Sequence, residues 1–174
     1  GEGVEKDPNK AVELYEQAAA QGRAVSQSNL GLMYYDGEGV EKDLNKAAAA
    51  ELFKQAAAQG HARAQCNLGF MYENGEGVEK DLQKAVELYE QAVAQGYAEA
   101  QCNLGLMYEF GNGVEKDLNR AVEMYEQAVA QGNSNAQSNL GLMYEEGDGV
   151  DKDTDKAVEL YKQAVAQGLA VAQY

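Results

Sequence analysis

The 174-residue chain has few of the residues on which most catalytic and metal sites depend. It contains one histidine, His61, and two cysteines, and it has no Ser-x-x-Lys, Cys–His or multi-histidine arrangement. Hydrolytic catalysis would therefore lack a general base, and a transition metal would lack its usual nitrogen and sulfur ligands. We expect a protein that is not an enzyme and that carries no metal or cofactor.

Long apolar runs and basic residues are also scarce. No stretch approaches the ~18 consecutive apolar residues that a membrane-spanning helix needs. Lys and Arg together number 14 against 29 Asp and Glu, which gives a net charge of −15. So acidic a chain is repelled by phosphate backbones and anionic lipid. We therefore expect no nucleic-acid partner and no direct membrane contact, and we expect basic proteins or peptides to bind better.

The dominant feature of the chain is an internal repeat. The valine of a Gly-x-Gly-Val tetrapeptide recurs at Val4, Val40, Val78, Val114 and Val150, with spacings of 36, 38, 36 and 36 residues. Fixed periods of about 20–50 residues are typical of solenoids, in which stacked neighbours bury the apolar faces that one unit cannot bury alone. The sequence predicts a single array over 1–174, with a partial repeat 1–22, repeats 23–60, 61–96, 97–132 and 133–168, and a stub 169–174.

Each repeat carries two helical patterns, which we name helix A and helix B. In the third repeat Leu68, Met71 and Tyr72 share one face of helix A, and Gly75 ends that helix. Asp81 is then the expected N-cap of helix B. We predict nine helices, with B helices near 7–20, 43–59, 81–95, 117–131 and 153–167. Gly168 should end the last of them, and the stub should fold back on it or pack against another molecule. The second alternative would allow end-to-end self-association of the array.

Small residues recur at fixed positions of helix A. Gly31, Gly69, Gly105 and Gly141 should allow close helix–helix approach. Cys66 and Cys102 stand where sister repeats have serine. Packed helices lie about 8–10 Å apart, whereas a disulfide needs Cα atoms closer than about 7 Å. We interpret both cysteines as free thiols; a disulfide or a metal site is the minor alternative.

The second repeat contains two residues more than its sisters, at Ala48-Ala49. Two extra residues rotate a helix by about 200°, so the excess must be absorbed locally. We expect an irregularity or a lengthening near the start of the second B helix, with Leu52 and Phe53 restored to the core phase of Leu88 and Tyr89. The insertion is either natural or engineered.

The pattern resembles the Sel-1-like repeat, a relative of the tetratricopeptide repeat. The resemblance rests on residues 64–72 (Ala-Gln-Cys-Asn-Leu-Gly-Phe-Met-Tyr), on Gly75-x-Gly77-Val78-x-Lys80-Asp81, and on Gly96, and it extends over every copy. It implies an all-α fold, a right-handed α/α superhelix (solenoid) of 36–38-residue helix-turn-helix repeats, and adaptors that assemble protein complexes. One bacterial branch carries a disulfide in each repeat and is linked to β-lactam binding; the cysteines that it requires are missing here.

Four asparagines of the A helices are the sharpest candidates for a binding site: Asn29, Asn67, Asn103 and Asn139. Each lies about 100° from the leucine that follows it, off the centre of the buried seam. The resemblance to tetratricopeptide repeats places them on the groove side of helix A. They either clamp the backbone of a bound peptide or hydrogen-bond the neighbouring repeat. The other candidate residues of this groove are Arg63, Phe70, Glu73, Glu99, Leu106, Glu109 and Glu145.

Two apparent ligand motifs are better explained by structure. The Gly-Glu-Gly-Val loops carry acidic residues that would repel phosphate, and they lack the Lys-Ser/Thr pair of a phosphate-binding loop. The aspartates of residues 148–155 lack the glycine and the glutamate that a calcium loop needs at its sixth and twelfth positions. The sequence thus favours a protein-interaction scaffold that binds a partner protein or extended peptide in a concave groove. The alternative is a structural spacer, or an engineered model array, with no ligand of its own.

Overall fold

The computed structural model of the chain describes residues 7–38 and 45–171. Among them are nine α-helices and no strand, so the predicted all-α repeat fold is confirmed for this part of the chain. The B helices are α1 (Pro8–Ala20), α3 (Asn45–Ala58), α5 (Leu82–Val93), α7 (Leu118–Ala130) and α9 (Thr154–Val171). The A helices are α2 (Ala24–Asp36), α4 (Ala62–Asn74), α6 (Ala98–Phe110) and α8 (Ser134–Glu146).

The chain divides into two compact units. Unit 1 comprises residues 1–91 and unit 2 comprises residues 92–174. Helices α1 to α4 and most of α5 belong to unit 1, and helices α6 to α9 belong to unit 2. Each unit therefore contains two complete A helices, together with the B helices that pack against them.

Short-range signals place the helix ends. The carboxylates of Asp7, Asp81, Asp117 and Asp153 each accept a hydrogen bond of 2.9–3.1 Å from the backbone N–H three residues later. These four N-caps are confirmed, whereas Asp43 lies outside the described residues. At the other end, the A helices stop at glycines with φ between 70° and 82°, a conformation that glycine adopts without steric cost; they are Gly37, Gly75, Gly111 and Gly147.

The prediction that Gly168 ends the last B helix is wrong. Helix α9 runs through this position to Val171, and no described residue folds back on it. Glycine permits a turn but does not impose one. At Gly132 a positive φ of 80° leads into α8, which packs against α7, whereas the backbone stays helical at Gly168. Residues 172–174 lie outside the described part of the chain.

The extra residues of the second repeat are absorbed before the core begins. Phe53 is 1 % exposed and packs against Gly31, as Tyr89 packs against Gly69, so the predicted restoration of phase is confirmed. Leu52, like Leu88, is half-buried. The stretch from the start of the helix to its aromatic residue is one residue longer in α3, up to Phe53, than in α5, up to Tyr89. Residues 39–44, where the rest of the expected irregularity would fall, lie outside the described residues.

The helical glycines allow the close approach that their recurrence predicts. A Cβ atom built on Gly31, Gly69, Gly105 or Gly141 would lie 2.6–2.9 Å from the nearest ring carbon of the B helix that packs on it. Those rings belong to Phe53, Tyr89, Tyr125 and Tyr161. Because real Cβ contacts are longer than 3 Å, only glycine fits without displacing the ring.

Buried glutamines join each A helix to the B helix that follows it, a feature that the sequence analysis missed. Gln27, Gln65, Gln101 and Gln137 are 3–5 % exposed. In unit 2, Gln101 donates to Gln127 at 3.1 Å and accepts from Gln131 at 2.7 Å. In unit 1, Gln27 makes the same two contacts with Gln55 and Gln59, at 3.0 and 2.7 Å. A buried amide needs its partners, so these networks fix how A and B helices pair.

Both cysteines are free and buried, as predicted. Cys66 is 4 % exposed and Cys102 is 3 % exposed. Burial raises the pKa of the Cys102 thiol to about 11, which keeps it in the unreactive protonated form. No group of His, Cys, Asp or Glu side chains that could hold a metal ion occurs among the described residues.

Candidate functional site

The candidate residues occupy four positions on one side of helix A. In α4 they are Arg63, Asn67, Phe70 and Glu73, spaced three or four residues apart, and residues so spaced are neighbours on a helix surface. We call these four positions, taken over all A helices, the A-helix face. The other members are Val25, Asn29, Leu32 and Tyr35 on α2, Glu99, Asn103, Leu106 and Glu109 on α6, and Asn135, Asn139, Leu142 and Glu145 on α8.

The A-helix face combines polar side chains with exposed apolar ones. All four asparagines are half-buried. Phe70 and Leu142 are 42 % and 44 % exposed, whereas Leu32 and Leu106 are half-buried. Phe70 and Leu106 were predicted from the sequence, whereas Leu32 and Leu142 were not, although their identical register was the signal that could have found them. The face therefore offers an apolar side chain next to an amide on every A helix.

The asparagines have different surroundings in the two units. In unit 1, the Asn29 side-chain oxygen accepts a hydrogen bond from the Arg63 guanidinium, which links α2 to α4. In unit 2, Asn139 donates to the Cys102 sulfur at 3.8 Å, which links α8 to α6. The amide nitrogen of Asn67 is buried without a hydrogen-bond partner. Asn29 and Asn139 thus also serve packing, and the clamp role of the set stays a prediction.

Tyrosines of the B helices hold the carboxylates of the face. The hydroxyl of Tyr89 donates to Glu73 at 2.7 Å, that of Tyr125 to Glu109 at 2.6 Å, and that of Tyr161 to Glu145 at 2.9 Å. The sequence predicted these glutamates as groove residues but did not reveal the tyrosines that hold them. Because a neutral phenol is the donor, each carboxylate keeps its negative charge while one of its oxygens is fixed in place.

The second repeat replaces both members of this pair. Tyr35 takes the place of the glutamate, and Phe53 takes the place of the tyrosine that would donate to it. The Tyr35 hydroxyl donates instead to Glu76 at 2.5 Å. Burial and this hydrogen bond raise the pKa of Tyr35 to about 12. The A-helix face of α2 is therefore aromatic and uncharged where α4, α6 and α8 are acidic.

The tyrosine hydroxyls make the stability of the fold sensitive to alkaline pH. Burial, and then the hydrogen bond to Glu109, raises the pKa of Tyr125. Its stabilising effect is therefore complete below the unfolded pKa of about 10, and it is lost as the pH rises through the higher folded pKa. We expect the urea midpoint to fall between about pH 9 and pH 11, and to fall less in Tyr125→Phe. Equal falls in the two proteins would contradict this assignment.

Cations of the B helices cover a second set of tyrosines. Lys84 lies 5.3 Å from the ring centre of Tyr72, and Lys156 lies 4.1 Å from that of Tyr144. Arg120 covers Tyr108 at 5.3 Å. These cation–π contacts use basic side chains within the fold. None of these three cations belongs to the A-helix face, whose only cation is Arg63.

Among the described residues, every helix is too short or too polar to cross a bilayer.

The chemistry of the A-helix face is that of a recognition surface. It has half-buried amides that can donate and accept, exposed apolar side chains, and carboxylates held in place by phenols.

Comparison with known proteins gives a consistent result. The family model described as Sel1 repeat matches residues 1–22, 24–61, 62–97, 98–133 and 134–169. Among solved structures, a Sel1 repeat protein from Oxalobacter formigenes is 37 % identical with a TM-score of 0.88, over 95 % of this chain and 65 % of that one. No curated protein matches the chain at the significance required.

Two further structures are similar. A protective antigen of uropathogenic Escherichia coli strains that displays an SLR fold is 41 % identical, with a TM-score of 0.81 over 90 % of this chain and 33 % of that one. Cysteine-rich protein B of Helicobacter pylori is 27 % identical, with a TM-score of 0.58 over 78 % of this chain and 96 % of that one. The chain thus spans 65 % and 33 % of the first two structures.

Proposed function

The chain belongs to the Sel1 repeat family, and from that membership we propose that it binds an extended segment of a partner protein along the A-helix face. Sel1 repeat proteins are generally protein-interaction scaffolds, and their fold is typically non-catalytic. They typically bind proteins. The proposal adds the surface that does the binding and the form in which the partner binds.

One observation carries the proposal, namely that the same chemistry recurs in register on α4, α6 and α8. Each presents an amide, then an apolar side chain, then a carboxylate. Packed helices lie about 8–10 Å apart, and an extended peptide rises about 3.3 Å per residue. Within one unit, successive asparagines would therefore meet roughly every third residue of the ligand. An amide both donates and accepts, as the unpaired backbone of an extended segment requires.

Charge selects the kind of segment. Glu73, Glu109 and Glu145 belong to a chain of net charge −15, so Lys- or Arg-bearing segments are favoured over acidic ones. Attraction between exposed charges weakens as salt rises, because the screening length falls from about 10 Å at 0.1 M to about 3 Å at 1 M. Binding to the A-helix face should weaken accordingly.

The double variant Asn67→Ala with Asn103→Ala tests the proposal. A partner is first isolated with the intact chain and identified by mass spectrometry, and its affinity is then measured with purified proteins. We expect the double variant to abolish binding, because one backbone contact is lost in each unit. The fold should stay mostly intact; at Asn67 this is expected because its amide nitrogen has no hydrogen-bond partner to lose.

The matched control is Gln83→Ala with Asn119→Ala, which removes two exposed amides from B helices. This variant should bind the partner as the unchanged chain does. If the A-helix variant also binds normally, or if it unfolds in a thermal melt, the asparagines are packing elements. Failure of the intact chain to retain any partner would favour the spacer alternative.

A further inference from the structure

Unpaired polar atoms are concentrated at one place in unit 1. The described residues contain four buried side-chain nitrogen or oxygen atoms without a hydrogen-bond partner. Three of them, Ser28 Oγ, Arg63 Nε and Asn67 Nδ2, lie on α2 and α4, the two helices that the contact between Arg63 and Asn29 brings together. All three can donate a hydrogen bond. Buried polar groups are paired in folded proteins, so a cluster of unsatisfied donors indicates a missing acceptor.

The positive charge of Arg63 favours an anion as the missing acceptor. The same position is Val25, Glu99 and Asn135 on the other A helices, so the charge is particular to α4. Arg63 takes part in none of the ion pairs formed between described residues, although the chain has a large excess of carboxylates. A guanidinium is a planar fork of donors that matches a carboxylate. An anion bound here would have little competition from the protein's own acids.

An apolar pocket lies beside the cluster. Its volume is about 130 Å³, several times the roughly 30 Å³ that one water occupies in the liquid. It is lined by Leu32, Tyr35, Asp36, Phe53, Asn67 and Phe70. Asn67 is common to the pocket and the donor cluster, and Arg63 is its neighbour one helical turn away. Tyr35 stands where α4, α6 and α8 have glutamate, so an aromatic ring replaces a carboxylate in the wall of this pocket; Phe53 stands where the later B helices have tyrosine and keeps the ring without the hydroxyl.

We propose that this place in unit 1 binds a carboxylate that adjoins an aliphatic side chain of the partner segment. The carboxylate lies against Arg63, Asn67 and Ser28, and the aliphatic side chain fills the pocket beside Phe70. The inference rests on the proposed function and sharpens it. Arg63 is the one cation of the A-helix face, and the other charged residues of that face are acidic. It is therefore the only position of this face that attracts a carboxylate. That contact sets the register of an otherwise basic segment.

N-acetyl-leucine is a suitable probe because it carries both groups, and N-acetyl-leucinamide and N-acetylglycine each lack one of them. Binding is followed on the intact ¹⁵N-labelled chain through the Arg63 Nε–H signal and, in every variant including Arg63→Gln, through the backbone amide signals of Asn67 and Phe70. The chain has only three arginines, Arg23, Arg63 and Arg120, so the signal is assigned by its loss in Arg63→Lys. We expect N-acetyl-leucine to bind about ten-fold tighter than either analogue, a difference of about 1.4 kcal/mol.

Two variants serve as a matched pair. Arg63→Gln should remove the preference for the carboxylate, whereas Glu99→Gln, at the same position of α6, should leave it unchanged. Acetyl-Leu-Glu-amide carries its carboxylate on a side chain, whereas N-acetyl-leucine carries it at the chain terminus. Tighter binding by either one supports the site and shows whether the partner's carboxylate is an internal acid or a chain terminus. Thermal melts confirm that both variants fold.

Three results would overturn the inference. The first is that N-acetyl-leucinamide binds as tightly as N-acetyl-leucine. The second is that the preference for the carboxylate survives in Arg63→Gln. The third is that neither acid shifts the NMR signals in a saturable way, which would leave buried water as the acceptor. The probes do not need the partner protein. If N-acetyl-leucine binds while the Asn67 and Asn103 variant retains its partner, the pocket stands and the proposed backbone clamp fails.

Discussion

Replacing Tyr125 by alanine should lower the free energy of unfolding by about 3–5 kcal/mol. The ring is 0 % exposed and fills the space beside Gly105. Truncation leaves a cavity between α6 and α7 and removes the hydroxyl that donates to Glu109. Urea denaturation followed by circular dichroism measures the change.

Tyr125→Phe is the matched control, because it keeps the ring and removes only the hydroxyl. It should cost about 1 kcal/mol, the usual net contribution of one hydrogen bond. The chain itself contains phenylalanine at the equivalent position, since Phe53 is 1 % exposed against Gly31. If the alanine variant lost no more than the phenylalanine variant, packing of the ring would not be the main contribution to stability.

Gly105→Ala should destabilise the protein, although glycine in a helix interior is ordinarily worse than alanine by about 1 kcal/mol. The new methyl group would lie 2.6 Å from Tyr125 Cε1. Overpacking of this kind costs about 1–3 kcal/mol. The ring cannot easily move, because it is fully buried and its hydroxyl is hydrogen-bonded. We therefore expect a net loss of up to about 2 kcal/mol, measured by the same urea titration.

A double-mutant cycle tests this cause. In the Tyr125→Ala background the added methyl group meets a cavity instead of a ring, so Gly105→Ala should become neutral or stabilising. Residues in contact give coupling energies of about 0.5–3 kcal/mol, whereas distant residues are nearly additive. If the effects of the two substitutions were additive, contact with the tyrosine ring would not explain why glycine recurs at this position of the A helices.

The candidate site was only partly predictable. The asparagines and glutamates could be found because a position that recurs in every repeat is visible in the sequence. The pocket in unit 1 could not be found in this way, since it depends on Tyr35 and Phe53 meeting across two helices. The sequence showed each as an isolated exception to the repeat. A hydrogen bond from each asparagine to the neighbouring repeat was one of the two predicted alternatives, but the sequence did not identify Arg63 as the partner of Asn29, nor did it indicate that tyrosines hold the carboxylates.

The sequence by itself determined the period, the helix ends and the phase of the core. An aspartate N-cap acts on a backbone N–H three residues away, and a glycine at the end of an A helix acts on its own φ, so both are readable locally. Even the two extra residues at Ala48-Ala49 could be resolved, because only one phase buries Phe53. The continuation of α9 through Gly168 could not, because a glycine permits a turn but does not impose one.

Only the tertiary structure decided the partners of the polar side chains. Gln101 meets Gln127 and Tyr125 meets Glu109 across 26 and 16 residues of sequence. Such pairs depend on how far each helix is rotated and how closely glycine lets its neighbour approach. Backbone propensity does not encode either quantity. A repeating sequence therefore specifies the array, and the packing of one helix on the next specifies which of its amides and carboxylates remain for a partner.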